Sequence, residues 1–95
     1  MVKHHGYRME LGEVEAALRS IHGCLEACCL LDKEQDVLWA FAAGNLTERA
    51  LMDALKTKLA RYMLPDKIVL LPELPHTANM KIDRQTLRKR MTEQG

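Results

Sequence analysis

A lysine near the end of the chain stands on a polar loop that is suited to contact an anion. Lys81 follows residues 77–80, which come shortly after Pro75. A lysine ammonium is a compact positive charge that binds phosphate or carboxylate oxygens, and a loop lets it reach a partner at some distance. The alternative is an ordinary solvated lysine, which is the common state of this residue type.

A second group of chemically capable residues lies at the start of the chain. Residues 3–8 read KHHGYR. They combine positive charge, two imidazoles and a glycine, beside which another chain or a ligand can approach closely. The alternative is a frayed N-terminus with scattered polar residues.

The cysteines suggest neither a metal site nor a disulfide framework. His22, Cys24, Cys28 and Cys29 lack the paired C-x-x-C spacing of a structural zinc site. Cys28 and Cys29 also point to opposite faces if residues 25–31 form a strand. Three cysteines, two of them adjacent, indicate reduced and buried thiols in a cytoplasmic protein. We therefore predict no metal site.

Four basic residues follow Lys81 closely, at positions 84, 88, 89 and 90. Such a tail can contact RNA or an acidic protein, but no aromatic residue accompanies it for base stacking. The whole chain has 14 Lys and Arg against 13 Asp and Glu, a net charge of +1. This balance argues against a nucleic-acid-binding protein, and we expect a solvated helix end.

The length and composition indicate one small folded domain. The chain has 95 residues, 47% of them hydrophobic and 28% charged, which is typical of globular proteins. No apolar run approaches the roughly 20 residues of a membrane span, and the first ten residues do not resemble a secretory signal. We expect no membrane partner.

Hydrophobic periodicity and capping residues predict an alternating series of helices and strands. The predicted segments, in order, are a helix at 12–22, a strand hairpin at 25–31 and 37–43, a helix at 47–62 with Thr47 as N-cap, a strand at 67–71, a loop at 76–80 and a helix at 83–90. The fold class is therefore α+β, with a small sheet of about three strands covered by helices.

Three collinear segments carry a resemblance to a known family. Residues 3–15 read KHHGYRMELGEVE, residues 59–75 read LARYMLPDKIVLLPELP, and residues 74–87 read LPHTANMKIDRQTL. Together they resemble the C-terminal subdomain of the adenylate-forming (AMP-binding) enzymes, which include nonribosomal peptide synthetase adenylation domains, acyl-CoA synthetases and luciferase. The residues of these motifs are most similar to those of the D-alanine–carrier protein ligase and amino-acid adenylation branch.

The resemblance implies an ATP-dependent acid–thiol ligase of which residues 1–95 form only the C-terminal lid. Such enzymes join a carboxylate to AMP and then pass the acyl group to the thiol of phosphopantetheine or coenzyme A. A large N-terminal domain holds ATP, magnesium and the acid, so the lid alone is expected to bind no cofactor and to be inactive. The implied partners are that N-terminal adenylation domain and an acyl or peptidyl carrier protein or coenzyme A.

The resemblance also implies roles for individual residues. Lys81 matches the lysine of adenylation, and Lys3 matches a lysine on the opposite face that is associated with the second half-reaction. Gly6 matches the glycine beside the pantetheine tunnel, and Tyr7 and Arg8 continue that loop.

The lysine loop departs from the family pattern at one position. Asn79, an expected binding residue, begins a motif that usually reads Asn-Gly-Lys, but Met80 stands in place of the glycine. If this position is left-handed, methionine adds roughly 1–2 kcal/mol of backbone strain. The hypothesis is that adenylation is weakened or that the loop takes another path.

Two alternatives from other classes remain open at this point. One is a free-standing interaction module that binds a carrier protein or an adenylation partner through the same surface. The other is a basic RNA-contacting domain, against which the near-neutral charge counts.

Overall fold

A three-stranded mixed sheet with helices on both faces forms the centre of the molecule. The computed structural model describes residues 1–94. Its elements in chain order are β1 (Val2–His4), β2 (Tyr7–Met9), α1 (Leu11–Arg19), β3 (Cys24–Asp32), β4 (Val37–Gly44), α2 (Glu48–Lys56), a single 3₁₀ turn (Arg61–Met63), β5 (Lys67–Leu71) and α3 (Arg84–Gln94).

The predicted strands at the centre of the chain are confirmed. β3 and β4 form an antiparallel hairpin, and β5 lies parallel to β4, so the strand order is β3-β4-β5. The parallel pair requires a crossover connection, which α2 supplies. β3 is consequently an edge strand that pairs with a neighbour on one side.

The two faces of the sheet have separate hydrophobic cores. α1 and α2 cover one face through Val14, Leu18, Leu51 and Leu55, and α3 covers the other through two buried residues, Leu87 and Met91. The α+β prediction of a small sheet covered by helices is confirmed. The predicted alternation of the adjacent cysteines is also confirmed, because Cys29 belongs to the first core and Cys28 to the second.

The predicted helix bounds were partly wrong. α2 begins after the predicted cap, where Thr47 Oγ1 accepts a hydrogen bond from the amide of Ala50, but the helix ends at Lys56 rather than at residue 62. Ala60 is extended, with φ −63° and ψ 152°, and lets the chain turn toward β5. α1 ends earlier than predicted and α3 ends later. No helix within residues 1–94 is long and apolar enough to cross a membrane.

The N-terminal segment forms a hairpin that the sequence did not predict. β1 and β2 pair antiparallel, with Val2 opposite Met9 and His4 opposite Tyr7. The two turn residues, His5 and Gly6, have φ of 52° and 84°. Two positive φ values at the centre of a two-residue turn match the twist of a tight β-hairpin.

Candidate functional site

The loop that carries Lys81 is a tight, closed hairpin loop. His76 and Ile82 form an isolated antiparallel bridge. Inside it, the amide of Thr77 donates to the carbonyl of Lys81 at 2.7 Å, and the amide of Met80 donates to the carbonyl of Thr77 at 2.9 Å. Lys81 itself is exposed. Its backbone is therefore held in place while its ammonium is free to meet an anion.

Met80 takes the left-handed conformation that the loop requires. Its φ is 64°, and its side chain points into solvent, with 86% of its surface exposed. A left-handed residue after a tight turn is the usual closure of a three-residue hairpin loop, and glycine favours it. The predicted strain therefore falls on this residue, and the loop keeps a closed form despite it.

An ion pair with a buried carboxylate attaches the start of α3, just after this loop, to the edge of the sheet. Arg84, three residues after Lys81, donates from Nη1 to Glu15 Oε2 at 3.1 Å and contacts Cys28 Sγ at 3.0 Å. Glu15 is 8% exposed, and its Oε2 also accepts the amide of Cys29 at 2.7 Å. This amide lies on the open edge of β3, where no neighbouring strand accepts its hydrogen bond, and Glu15 takes that place. Arg84 is half exposed, in line with the expected solvated helix end, but the sequence did not predict that its guanidinium also pairs with Glu15.

The residues predicted around Lys3 come together on the first hairpin. Lys3 and Arg8 are cross-strand partners, and both are exposed. Tyr7 is 57% exposed and its ring stacks on Tyr62 at 4.5 Å between centroids. A Cβ added to Gly6 would meet no atom of this chain within 4 Å. Within this domain, glycine is favoured at position 6 by its positive φ and not by a lack of space.

A histidine and an aspartate anchor this hairpin to the rest of the domain. His4 is buried, and its Nδ1 and Nε2 lie 2.7 Å from the carbonyl oxygen of Tyr62 and from Asp66 Oδ2. Asp66 Oδ2 also accepts the amide of Leu38 at 2.7 Å. Burial raises the pKa of Asp66, but the hydrogen bonds from Leu38 and His4 outweigh it, so the pKa is lowered overall. Asp66 is therefore held as a carboxylate.

The two lysine-bearing hairpins lie at opposite ends of β3. His76, at the base of the Lys81 loop, lies with its Nε2 at 2.5 Å from Glu26 Oε2, whereas Lys3 lines a surface depression with Leu31 and Lys33. The five steps from Glu26 to Leu31 at about 3.3 Å each correspond to about 17 Å along the strand. The structure thus brings Lys81 together with Asn79, and Lys3 with Gly6, Tyr7 and Arg8, but it keeps these two groups apart.

Sequence reasoning missed both anchoring pairs. Glu15 and Arg84 are 69 residues apart, and His4 and Asp66 are 62 residues apart. The only signal was residue type, since a glutamate beside the apolar stripe of α1 and two adjacent histidines are groups that need a partner when buried. No spacing rule connects residues so distant in the chain.

Comparison with known proteins gives one consistent family. The sequence profile of the AMP-binding enzyme C-terminal domain matches residues 13–81. The chain is 45% identical over 93 residues to the chondramide synthase cmdD of Chondromyces crocatus, and 41% identical over 92 residues to the AMB antimetabolite synthetase AmbB of Pseudomonas aeruginosa. Each match covers 90% of this chain but only 2% and 7% of the relatives' own lengths.

Solved structures agree with the sequence relatives. Klebsiella oxytoca NpsA, in complex with 3-hydroxyanthranilyl-AMSN, matches with a TM-score of 0.85 and 27% identity, over 96% of this chain and 19% of that one. The four-domain nonribosomal peptide synthetase holo-AB3403, bound to AMP and glycine, matches with a TM-score of 0.77 and 38% identity, over 90% of this chain and 7% of that one.

Proposed function

Because this chain belongs to the family of AMP-binding enzyme C-terminal domains, we propose that it is the mobile lid of an ATP-dependent ligase. The ligase activates a carboxylic or amino acid as an acyl-adenylate and transfers the acyl group to a phosphopantetheine thiol. The observation that carries this proposal is the pair of exposed lysines on two hydrogen-bonded hairpins at opposite ends of β3.

Lys81 is proposed to act in the first half-reaction. There the substrate carboxylate oxygen attacks the α-phosphorus of ATP, an O–P bond forms, and pyrophosphate leaves. Negative charge develops on the phosphoryl oxygens, and a positioned ammonium stabilises it. The closed loop supports this role because it fixes the lysine backbone beforehand, so that little order is lost when the lid closes. Asn79, in the same loop, is proposed to contact the substrate or nucleotide.

Lys3 and its neighbours are proposed to act in the second half-reaction. There the thiol sulfur attacks the acyl carbon, a thioester forms, and AMP leaves. Gly6 lies at the exposed tip of the first hairpin, where its lack of a side chain leaves room for a pantetheine arm. Tyr7 and Arg8 flank this tip, and Arg8 is suited to hold a phosphate.

The separation of the hairpins implies that the lid rotates between the half-reactions. The two hairpins meet β3 near Glu26 and Leu31, which lie about 17 Å apart along the strand, several times the length of a hydrogen bond. One bound nucleotide therefore meets Lys81 or Lys3, but not both in one lid position. A rigid-body rotation presents each loop in turn.

The nucleotide, the magnesium ion and the acyl acceptor are proposed to come from partners of the lid. We propose that ATP or AMP, with magnesium, is bound by an N-terminal adenylation domain, and that residues 1–95 are a single lid domain without that catalytic part. The acceptor is proposed to be a carrier protein rather than free coenzyme A, in line with the synthetase relatives. The D-alanine ligase likeness and a cytoplasmic location remain predictions.

The decisive experiment joins this chain to the N-terminal adenylation domain of a nonribosomal peptide synthetase and measures ATP–pyrophosphate exchange. We expect the isolated 95-residue chain to give no exchange with any acid. In the fusion, Lys81→Ala should lower exchange by roughly 10²–10³-fold. Lys3→Ala should leave exchange nearly unchanged and lower acyl transfer to the carrier protein.

Lys58→Ala is the matched control, since Lys58 is exposed and lies in neither hairpin. Exchange by the isolated chain would overturn the lid assignment. Equal exchange rates for the Lys81→Ala and Lys58→Ala fusions would remove Lys81 from the first half-reaction.

A free-standing interaction module is the second candidate. It is favoured by two large apolar side chains, because Leu25 is 79% exposed and Met80 is 86% exposed. Leu25 adjoins Glu26, which contacts His76 at the base of the Met80 loop. Binding of the isolated chain to a carrier protein without any adenylation domain would support this candidate over the lid.

A further inference from the structure

The turn of the first hairpin brings two imidazoles onto one carboxylate. His4 Nε2 lies 2.7 Å from Asp66 Oδ2, and His5 Nε2 lies 3.3 Å from Asp66 Oδ1. One ligand atom from each of the three residues falls within 4.8 Å of the others. His4 is buried, whereas the side chains of His5 and Asp66 are 51% and 28% exposed. The cluster is therefore closed on one side and open to solvent on the other.

We propose that this cluster binds one divalent first-row transition-metal ion, for which Zn²⁺ is the test ion. The ligands are Nε2 of His4, Nε2 of His5 and the carboxylate of Asp66, and water completes the coordination. Two imidazoles and a carboxylate are a donor set that Zn²⁺ and its neighbours prefer over Mg²⁺ or Ca²⁺. The sequence analysis predicted no metal site from the spacing of His22 and the three cysteines, and this cluster lies elsewhere in the chain.

The distances suit a four-coordinate ion after a small adjustment. With bonds of about 2.0–2.1 Å, two ligand atoms lie roughly 3.3–3.4 Å apart across a tetrahedral angle. The His5–Asp66 pair is already at 3.3 Å. The His4–Asp66 pair, at 2.7 Å, must open by about 0.6 Å. The first distance is to Oδ1 of Asp66 and the second to Oδ2, so side chains of the cluster must shift for both imidazoles and one carboxylate oxygen to meet the same ion.

Hydrogen bonds around the cluster orient its ligands. The Nδ1–H of His4 donates to the carbonyl of Tyr62 at 2.7 Å, an arrangement that fixes the tautomer of metal-binding histidines and directs Nε2 to the metal. The amide of Leu38 holds the carboxylate of Asp66.

The backbone also places His5 in advance. Its φ is 52°, and the centroid of its ring lies 3.9 Å from that of His4. Asp36 accepts the amide of His5 through both carboxylate oxygens, at 2.9 and 3.2 Å. A bound ion would therefore join the first hairpin to the segment before β5 and restrict the motion of the loop that carries Lys3.

The test uses the purified 95-residue chain and the metal ion alone. Calorimetric titration with Zn²⁺ should give one site, and Co²⁺ should give the visible absorption of a four-coordinate complex. His5→Asn should lower the affinity at least tenfold, since losing a ligand costs no less than losing a residue that supports one. Asparagine accepts the left-handed conformation at this turn. Asp66→Asn should have the same effect, with circular dichroism checking its fold.

His22→Asn and His76→Asn are the matched controls. His22 is exposed and lies outside the cluster, and His76 pairs with Glu26 at the other end of β3. Both variants should keep the affinity of the parent. In ¹⁵N spectra of the imidazoles, Zn²⁺ should shift Nε2 of His4 and His5 only. Absence of one-site binding at mid-micromolar Zn²⁺, or shifts at His22 or His76 instead, would overturn the proposal.

Discussion

Replacing Met80 by glycine isolates the backbone strain of the Lys81 loop. The Met80 side chain is 86% exposed, so its removal costs almost no packing. Its φ of 64° costs a non-glycine residue roughly 1–2 kcal/mol. Glycine avoids that cost but adds roughly 0.4–1 kcal/mol of backbone entropy to the unfolded chain. The centres of these two ranges differ by about 0.8 kcal/mol, so we expect Met80→Gly to stabilise the domain by about 0.5–1 kcal/mol.

Thermal and urea unfolding measure this difference directly. For a domain of this size, a stabilisation of about 0.5–1 kcal/mol corresponds to a rise in Tm of about 2–8 °C. Trp39, the single tryptophan, is buried and reports unfolding by its fluorescence. In a fusion with an adenylation domain, Met80→Gly should also raise the rate of pyrophosphate exchange, because the unstrained loop holds Lys81 in place more readily.

Ala78→Gly is the control, because Ala78 is exposed in the same loop and has a negative φ. At this position glycine adds entropy to the unfolded chain but relieves no backbone strain, so we expect the free energy of unfolding to fall by about 0.4–1 kcal/mol. If Met80→Gly lowers the stability as much as Ala78→Gly does, the left-handed strain is refuted. Equal exchange rates for Met80→Gly and the parent would show that the strain does not affect adenylation.

Two further predictions concern the edge of β3. Arg84→Met leaves the buried Glu15 carboxylate without its charged partner and should lower the free energy of unfolding by about 1–3 kcal/mol, less than for a fully buried pair because Arg84 is half exposed. In urea unfolding, adding Glu15→Gln to this variant should recover most of the lost stability. Purely additive effects in the double variant would contradict the pairing. Burial is the main cause that raises the pKa of the Cys28 thiol from 9.0 to about 11. Between these pH values the folded state keeps the thiol proton and the unfolded state loses it. The stability of the domain should therefore fall as the pH rises from 9 toward 11. Cys28→Ala should flatten this fall in Tm, and an equally steep fall in the variant would rule the thiol out.

The local elements of the fold could be predicted because their signals lie within short windows. The apolar runs of β3, β4 and β5 and the Thr47 cap each depend on neighbouring residues. The first hairpin gave no such signal, because its strands have three residues each and its turn uses histidine where asparagine or glycine is usual. The end of α2 was also missed, since the helical spacing of Leu59 continues past the point where the chain must turn toward β5.

By itself, the sequence determined the order of the strands and helices from α1 to α3, the alternation of Cys28 and Cys29, and, through three collinear motifs, the family. The tertiary structure alone decided which distant side chains meet, namely Glu15 with Arg84 and the two N-terminal histidines with Asp66. It also decided that the two lysine loops occupy opposite ends of β3. Helical and strand periods are local properties of the chain, whereas contacts between residues so distant in the sequence depend on how the layers stack.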